Sequence, residues 1–174
     1  MSDIEDPIIV VSYNADWSIQ YEQEKIRILN ALGDAIAEIQ HIGSTAVPGL
    51  AAKPVIDILL GLKQIPPSPI QIGNLEALSY LYCGELGIPN RHYFRRGMPR
   101  TYQIHAVQID SEFWRSYILF RDFLIAYPAA AQQYEVLKRK LAIEFRSDRD
   151  RYTNNKAPLI QELLVQAQTW QKTL

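Results

Sequence analysis

Residues 55–62 form an apolar run broken by one carboxylate, Asp57. A continuous apolar run of this length suits a strand buried on both faces, which requires paired neighbours and covering layers. Residues 35–42 read as a second strand that runs into the turn Gly43-Ser44-Thr45, so the two strands bracket the loop between them.

The rest of the chain supplies the layers. Residues 8–12 are a short β-branched run, read as a strand. Asp16 suits the N-cap of a helix over 17–32, whose apolar Ile19, Ile26, Ile28, Leu29 and Leu32 fall mostly on one face and which Gly33 ends. Pro66-Pro67-Ser68-Pro69 interrupts regular structure, and Leu75, Leu78 and Leu81 then mark a helix over 70–82. Residues 91–94 and 102–109 read as antiparallel strands around the Arg95-Arg96-Gly97-Met98-Pro99 turn. Beyond Asp110 the pattern becomes helical, with helices expected over 111–126, 129–145 and 149–170. No linker-like composition intervenes. The expectation is one α+β domain over 1–174, with a sheet-containing core over about 1–110 and helices over about 111–174 packed on it.

The formal net charge is −1, so the chain lacks the broad positive field of a non-specific nucleic-acid binder. No extended nucleic-acid surface is expected, and any phosphate site must be local. Cys83 is the single cysteine, which rules out an intramolecular disulfide and a multi-cysteine zinc site and makes the cytoplasm the natural compartment. The start is acidic, and no run approaches the ~18 apolar residues of a membrane span, so neither export nor membrane insertion is expected.

The segment from His41 to Asp57 carries the chemistry. Gly43 permits a turn that exposes amide donors, Ser44 and Thr45 add hydroxyls, and Lys53 adds positive charge; together they suit phosphate oxygens. A carboxylate inside an apolar strand is costly unless paired or ligating a cation, which makes Asp57 a candidate Mg²⁺ ligand. Each residue also has an ordinary reading: a plain turn, an exposed loop lysine, a strand-end aspartate in water. The segment is not a Walker A loop, since Lys53 does not directly follow Gly49. There is likewise no Gly-x-Ser-x-Gly elbow, no Gly-x-Gly-x-x-Gly fingerprint, no kinase motif set and no His-Glu-x-x-His helix. Cys83 reads as a small packing residue.

The string HIGSTAVPGLAAKPVIDILL resembles the signature of the GrpB family, also called UPF0157. Trp17, RHYFRRG from Arg91 to Gly97, His105, FRDFL from Phe120 with Pro128, YEVLKRKLA from Tyr134, and Tyr152 with Lys156 resemble family positions in the same order. The family is similar to the nucleotidyltransferase superfamily. That resemblance implies a mixed sheet flanked by helices, with Gly43 and Ser44 as a triphosphate-binding turn and Asp57 as the first metal-binding carboxylate. The superfamily places a second acid two residues later, where this chain has Leu59, so a two-metal site lacks one ligand.

Around this centre, His105 is a candidate metal ligand, phosphate contact or proton carrier. His41 could orient the turn, and His92 reads as a strand residue. Arg91 and Arg95, with Arg96, cluster beside Tyr93 and Phe94, a combination suited to phosphate contact and base stacking. Arg121, Lys138, Tyr152 and Lys156 match family positions and could line the facing wall. Arg139, Lys140, Arg146, Arg149 and Arg151, balanced by Glu135, Glu144, Asp148 and Asp150, read as a solvated face. The expected activity is nucleotidyl transfer from a nucleoside triphosphate with Mg²⁺ to an unknown acceptor. The alternatives are a nucleotide or phosphometabolite sensor, which keeps the cradle without the chemistry, and a partner-binding scaffold.

Overall fold

Five strands form one mixed sheet in the computed structural model, which describes residues 6–174. In chain order the elements are α1 (Asp16–Leu32), β1 (Ile36–Ile42), β2 (Ile56–Leu62), α2 (Pro69–Ala77), β3 (Leu81–Tyr82), β4 (His92–Arg96), β5 (Tyr102–Gln108), α3 (Glu112–Ala126), α4 (Pro128–Glu144) and α5 (Arg149–Gln171). The strand order is β1-β2-β5-β4-β3, with β2 and β5 parallel and the other pairs antiparallel.

The apolar run becomes β2 because both of its faces are covered. Ile56, Ile58, Leu60 and Leu62 join Trp17, Ile28, Leu75, Phe94 and Ile104 in the layer under α1 and α2. On the other face Leu59 packs with Ile42, Val107 and Trp114 of α3. Each such side chain, fully buried, stabilises the fold by about 1.5–3 kcal/mol. Gly61 lets α3 come close: a Cβ there would sit 2.8 Å from both the Trp114 ring and Ile109.

The helical layer also holds the loop between β1 and β2. Val47 and Leu50 are buried among Phe123, Leu124, Tyr134, Leu163 and Ala167 of α3, α4 and α5. The apolar residues of the loop thus pin its polar start, Gly43 to Thr45, between sheet and helices.

Three local expectations are corrected. The run at 8–12 makes a single bridge, Val11 with Ala52, because Ile8 instead donates to the Arg146 carbonyl and the segment straps across to the end of α4. Asp16 is the first residue of α1 and not its cap; its amide is received by the Asn14 side chain at 2.9 Å. The helix expected over 70–82 stops at Ala77, after a start capped by Ser68 and Gln71 with Pro69 in the first turn. Ser79 then takes φ +71°, and Leu81–Tyr82 pairs with β4. The reversal lets Tyr80 turn inward to donate to Glu24 at 3.0 Å. Glu24, 2% exposed, also accepts from Arg27 and Arg96 at 2.9 and 2.8 Å, so three donors compensate its burial.

Candidate functional site

A cavity of about 440 Å³ opens where the Gly43 turn, the sheet face carrying Asp57 and His105, and helices α4 and α5 meet. The alternation of β2 and β5 decides what it sees. Asp57 pairs in register with Gln103, and Leu59 with His105, so these four side chains share the face opposite α1. His105 Nε2 lies 3.1 Å from Asp57 Oδ1. Asp57 Oδ2 lies so close to Gly43 that a Cβ there would meet it at 2.7 Å. Gly43 has φ +74° and ψ −172°, a conformation open essentially to glycine alone. The bonds that close the following one-turn 3₁₀ segment use the amides of Ala46 and Val47 and leave out those of Ser44 and Thr45.

Cationic side chains converge here from separate parts of the chain. Lys53, Arg91, Arg100, Lys138, Arg149 and Lys156 all line the cavity, against two carboxylates, Asp57 and Asp150. Lys138, 3% exposed, donates to Ser44 Oγ at 2.8 Å and to the Ala51 carbonyl. Lys53 and Lys156 share one aromatic wall: their ammonium groups lie 5.2 and 4.4 Å from the centre of the buried Tyr152 ring. Arg100 and Arg149 each pair with Asp6 at 2.8 Å, which ties the N-terminal strap to the cavity.

Crowding these charges away from water lowers their proton affinity. Burial, then repulsion from Lys156 and Arg149, pulls Lys53 down from 10.5 to about 7. Burial and Lys156 bring Lys138 to about 7, and burial outweighs attraction by Asp57 to leave Lys156 at about 8. The same wall raises tyrosines: burial pushes Tyr152 up to about 12. Among the described residues, the Tyr152 hydroxyl, Arg91 Nε and His105 Nδ1 are buried polar atoms without a hydrogen-bond partner. Such atoms are costly unless something reaches them.

Most of the residues anticipated from the sequence meet here: Gly43, Ser44, Thr45, Lys53, Asp57, Arg91, His105, Lys138, Tyr152 and Lys156 line the cavity. Three do not line it. His41 faces α1, stacked on Tyr21 at 4.7 Å, with Nε2 2.9 Å from Thr45 Oγ1. Burial, reinforced by Arg121 and opposed by Asp57, lowers its pKa to about 4, so it stays neutral and steadies the turn from behind. Arg121 bonds the Gln40 side chain and the His41 carbonyl at 2.8 and 2.9 Å, tying α3 to the sheet edge. Arg95 lies on β4 outside the cavity lining.

Conversely, Arg100, Gln103 and Tyr134 line the site without a sequence signal that points to it, and Tyr93, expected beside the arginines as a stacking surface, lines it too. Arg149 and Asp150 were read as part of a solvated face, yet both line the cavity, and the Arg149 side chain is only 13% exposed. Tyr93 carried a usable signal: it alternates with His92 and Phe94, so it must share a face with its register partner His105.

Position 59 holds no ligand, since Leu59 is fully buried against Val107 and Trp114. Among the described residues, no group of three or more His, Cys, Asp and Glu gathers to hold a metal. With one carboxylate already engaged by an imidazole, this donor set does not fit a two-ion centre. A single Mg²⁺ that takes most of its oxygens from phosphate and water would need no more than Asp57.

The architecture defines an α+β protein whose helices and sheet enclose a cationic, tyrosine-lined cavity. A family model described as "GrpB protein" matches residues 7–166, and the chain belongs to the GrpB family. The crystal structure of conserved protein GrpB from Enterococcus faecalis is similar with a TM-score of 0.86 and 34% identity, over 93% of this chain and 99% of that one. UPF0157 protein YqkA of Bacillus subtilis is 34% identical over 164 residues, 94% of this chain; the match spans 48% of YqkA, about half its length. Glutamate-rich protein GrpB of Alkalihalophilus pseudofirmus is 30% identical over 90% of this chain and 94% of its own. No helix among the described residues is long and apolar enough to cross a membrane.

Proposed function

We propose that the cavity binds a phosphorylated small molecule carrying several negative charges, with a nucleoside triphosphate as the best-matched class. The observation that carries this reading is the convergence of six cationic side chains, against two carboxylates, on one cavity beside the Gly43-Ser44-Thr45 turn. Three of them are lysines held at a cost to their own charged state, a cost that a polyanion would repay. In this reading Ser44 and Thr45 offer hydroxyls and amides, Lys53, Lys138 and Lys156 neutralise phosphate oxygens, and the planar Arg91 faces the rest of the ligand.

A specific observation keeps a transfer reaction in view, on a nucleotidyltransferase-like version of this fold. His105 Nε2 and Asp57 Oδ1 form a contact at 3.1 Å within the same cavity. With Nε2 donating to Asp57 and Nδ1 buried, that imidazole would hold the carboxylate towards the bound phosphates and would not itself take the acceptor's proton. Mg²⁺, if it enters with the phosphates, would be held by Asp57 and would stabilise charge on the phosphoryl oxygens. The chain's own residues would bind the phosphates and orient the carboxylate.

The test uses labelled nucleoside triphosphate with wild type and Asp57→Asn, each with and without Mg²⁺. Binding by both proteins, with Mg²⁺-dependent label transfer or pyrophosphate release by wild type alone, supports transfer. Binding without turnover across a broad acceptor screen assigns the protein to the sensor class, and equal turnover by the two proteins removes Asp57 from the chemistry.

A further inference from the structure

The loop between β3 and β4 spends conformational energy without a return to the core. Over residues 84–90 the φ angle is positive at Gly84, Leu86, Gly87 and Asn90, at 64°, 48°, 78° and 64°. A left-handed leucine is strained relative to glycine, because its Cβ crowds the neighbouring carbonyl. Leu86 is also 63% exposed and belongs to none of the core clusters of buried residues, yet it lines the cavity together with Ile88. The loop is not slack. Glu85 accepts the Asn90 amide at 2.7 Å, Ile88 and Arg91 donate back to the Glu85 and Ile88 carbonyls, and Arg91 also bonds the Glu85 carbonyl at 3.2 Å. Tyr93 fastens its base through the Gly84 carbonyl at 2.9 Å.

A chain of contacts gives the cavity a direction. Lys138 bonds Ser44, the neighbouring Gly43 abuts Asp57, Asp57 meets His105, and the His105 ring lies 5.6 Å from Tyr93. Tyr93 in turn lies 5.3 Å from the Arg91 guanidinium, where the loop ends. One end is therefore a lysine wall on Tyr152, and the other is an apolar lip behind an arginine on a tyrosine.

From this polarity we infer that Leu86 and Ile88 form a subsite for the uncharged organic end of the phosphorylated ligand, a nucleobase or a group equally flat and apolar. The inference rests on the phosphate reading above and deepens it. Phosphates occupy the lysine end, Asp57 and His105 lie between, and the organic group covers Leu86, whose exposed surface is then removed from water.

Calorimetry with two probes, adenosine triphosphate and inorganic tripolyphosphate, tests it on wild type, Leu86→Ala and Leu86→Ser/Ile88→Thr. Since Leu86 lies largely in solvent, the fold tolerates its replacement, and circular dichroism checks this. Wild type is expected to bind adenosine triphosphate more tightly than tripolyphosphate. Removing about 40 Å² of apolar contact should weaken adenosine triphosphate roughly fivefold in Leu86→Ala, and more in the double variant. The tripolyphosphate affinity should stay within about twofold of wild type. An equal fall for both probes, or an unchanged preference in the double variant, would overturn the subsite while leaving the phosphate reading intact. If wild type binds neither probe, the phosphate reading fails and this inference fails with it.

Discussion

Gly43 is where backbone conformation and site chemistry meet most tightly. Its φ and ψ exclude other residues, and Asp57 occupies the space a side chain would need. Gly43→Ala should therefore destabilise the fold by about 1–3 kcal/mol and weaken triphosphate binding. In Gly43→Ala/Asp57→Ala the clash with the carboxylate is gone, so the two losses in a denaturant titration should sum to more than the loss of the double variant. Strict additivity would show that the close approach has no energetic consequence. Lys138 permits a second test, because its ammonium is held by Ser44 and the Ala51 carbonyl. Lys138→Met should weaken tripolyphosphate roughly 10- to 100-fold, equivalent to ~1.5–3 kcal/mol for a charged hydrogen bond, with the fold retained. Unchanged affinity would remove Lys138 from the binding surface. Ser44, Asp57 and Lys53 were legible because turn chemistry, an acid in an apolar run and a nearby lysine are local signals. Arg100 and Arg149 were not, since each gains its role from Asp6, far away in sequence.

Among the elements, β1 is an edge strand, and two of its carbonyls accept side-chain hydrogen bonds. Tyr21 donates to Ile39 at 3.2 Å, and Arg121 donates to His41. Arg121→Met should cost about 1–3 kcal/mol by stripping the His41 carbonyl and the Gln40 side chain of their partner, and should change tripolyphosphate affinity little, since Arg121 lies outside the cavity lining. A large affinity loss at unchanged stability would reverse that assignment. The N-terminal strap makes a complementary prediction. Asp6 is 7% exposed and faces two arginines, so Asp6→Asn should cost about 3–5 kcal/mol in a urea titration by leaving buried positive charge uncompensated. The strands β2 and β5 and the helices α3 to α5 were readable from periodicity, which reports a face buried along a whole element. The two-residue β3 was not, because the leucine spacing through residue 81 continues a helical pattern that the turn at Ser79 breaks. The strap at 6–12 has strand-like residues but only one bridge, and tertiary contact decides its path.

At the scale of the whole molecule, a nearly neutral protein places six of its eighteen lysines and arginines around one cavity. The three depressed lysines make the charge there dependent on pH, and the sign can be worked out. In the empty protein Lys53 and Lys138 lose protons near pH 7 and Lys156 near 8, whereas the unfolded chain keeps them to about 10.5. Between these values the unfolded state binds more protons, so these lysines make the empty protein more stable as pH rises through the window. A bound polyanion favours the charged lysines and raises their pKa, so binding takes up protons and weakens as pH rises from about 7 towards 10. Thermal unfolding with and without tripolyphosphate should therefore show a ligand-induced rise in Tm that shrinks with pH. A rise independent of pH would mean that these lysines do not contact the anion. The central claim, that the cavity recognises phosphate charge, is tested most directly by calorimetric titration of wild type near pH 7 with a nucleoside triphosphate and with its uncharged nucleoside. The triphosphate should bind clearly more tightly and with proton uptake, whereas equal affinities, or no binding of either into the millimolar range, would contradict it.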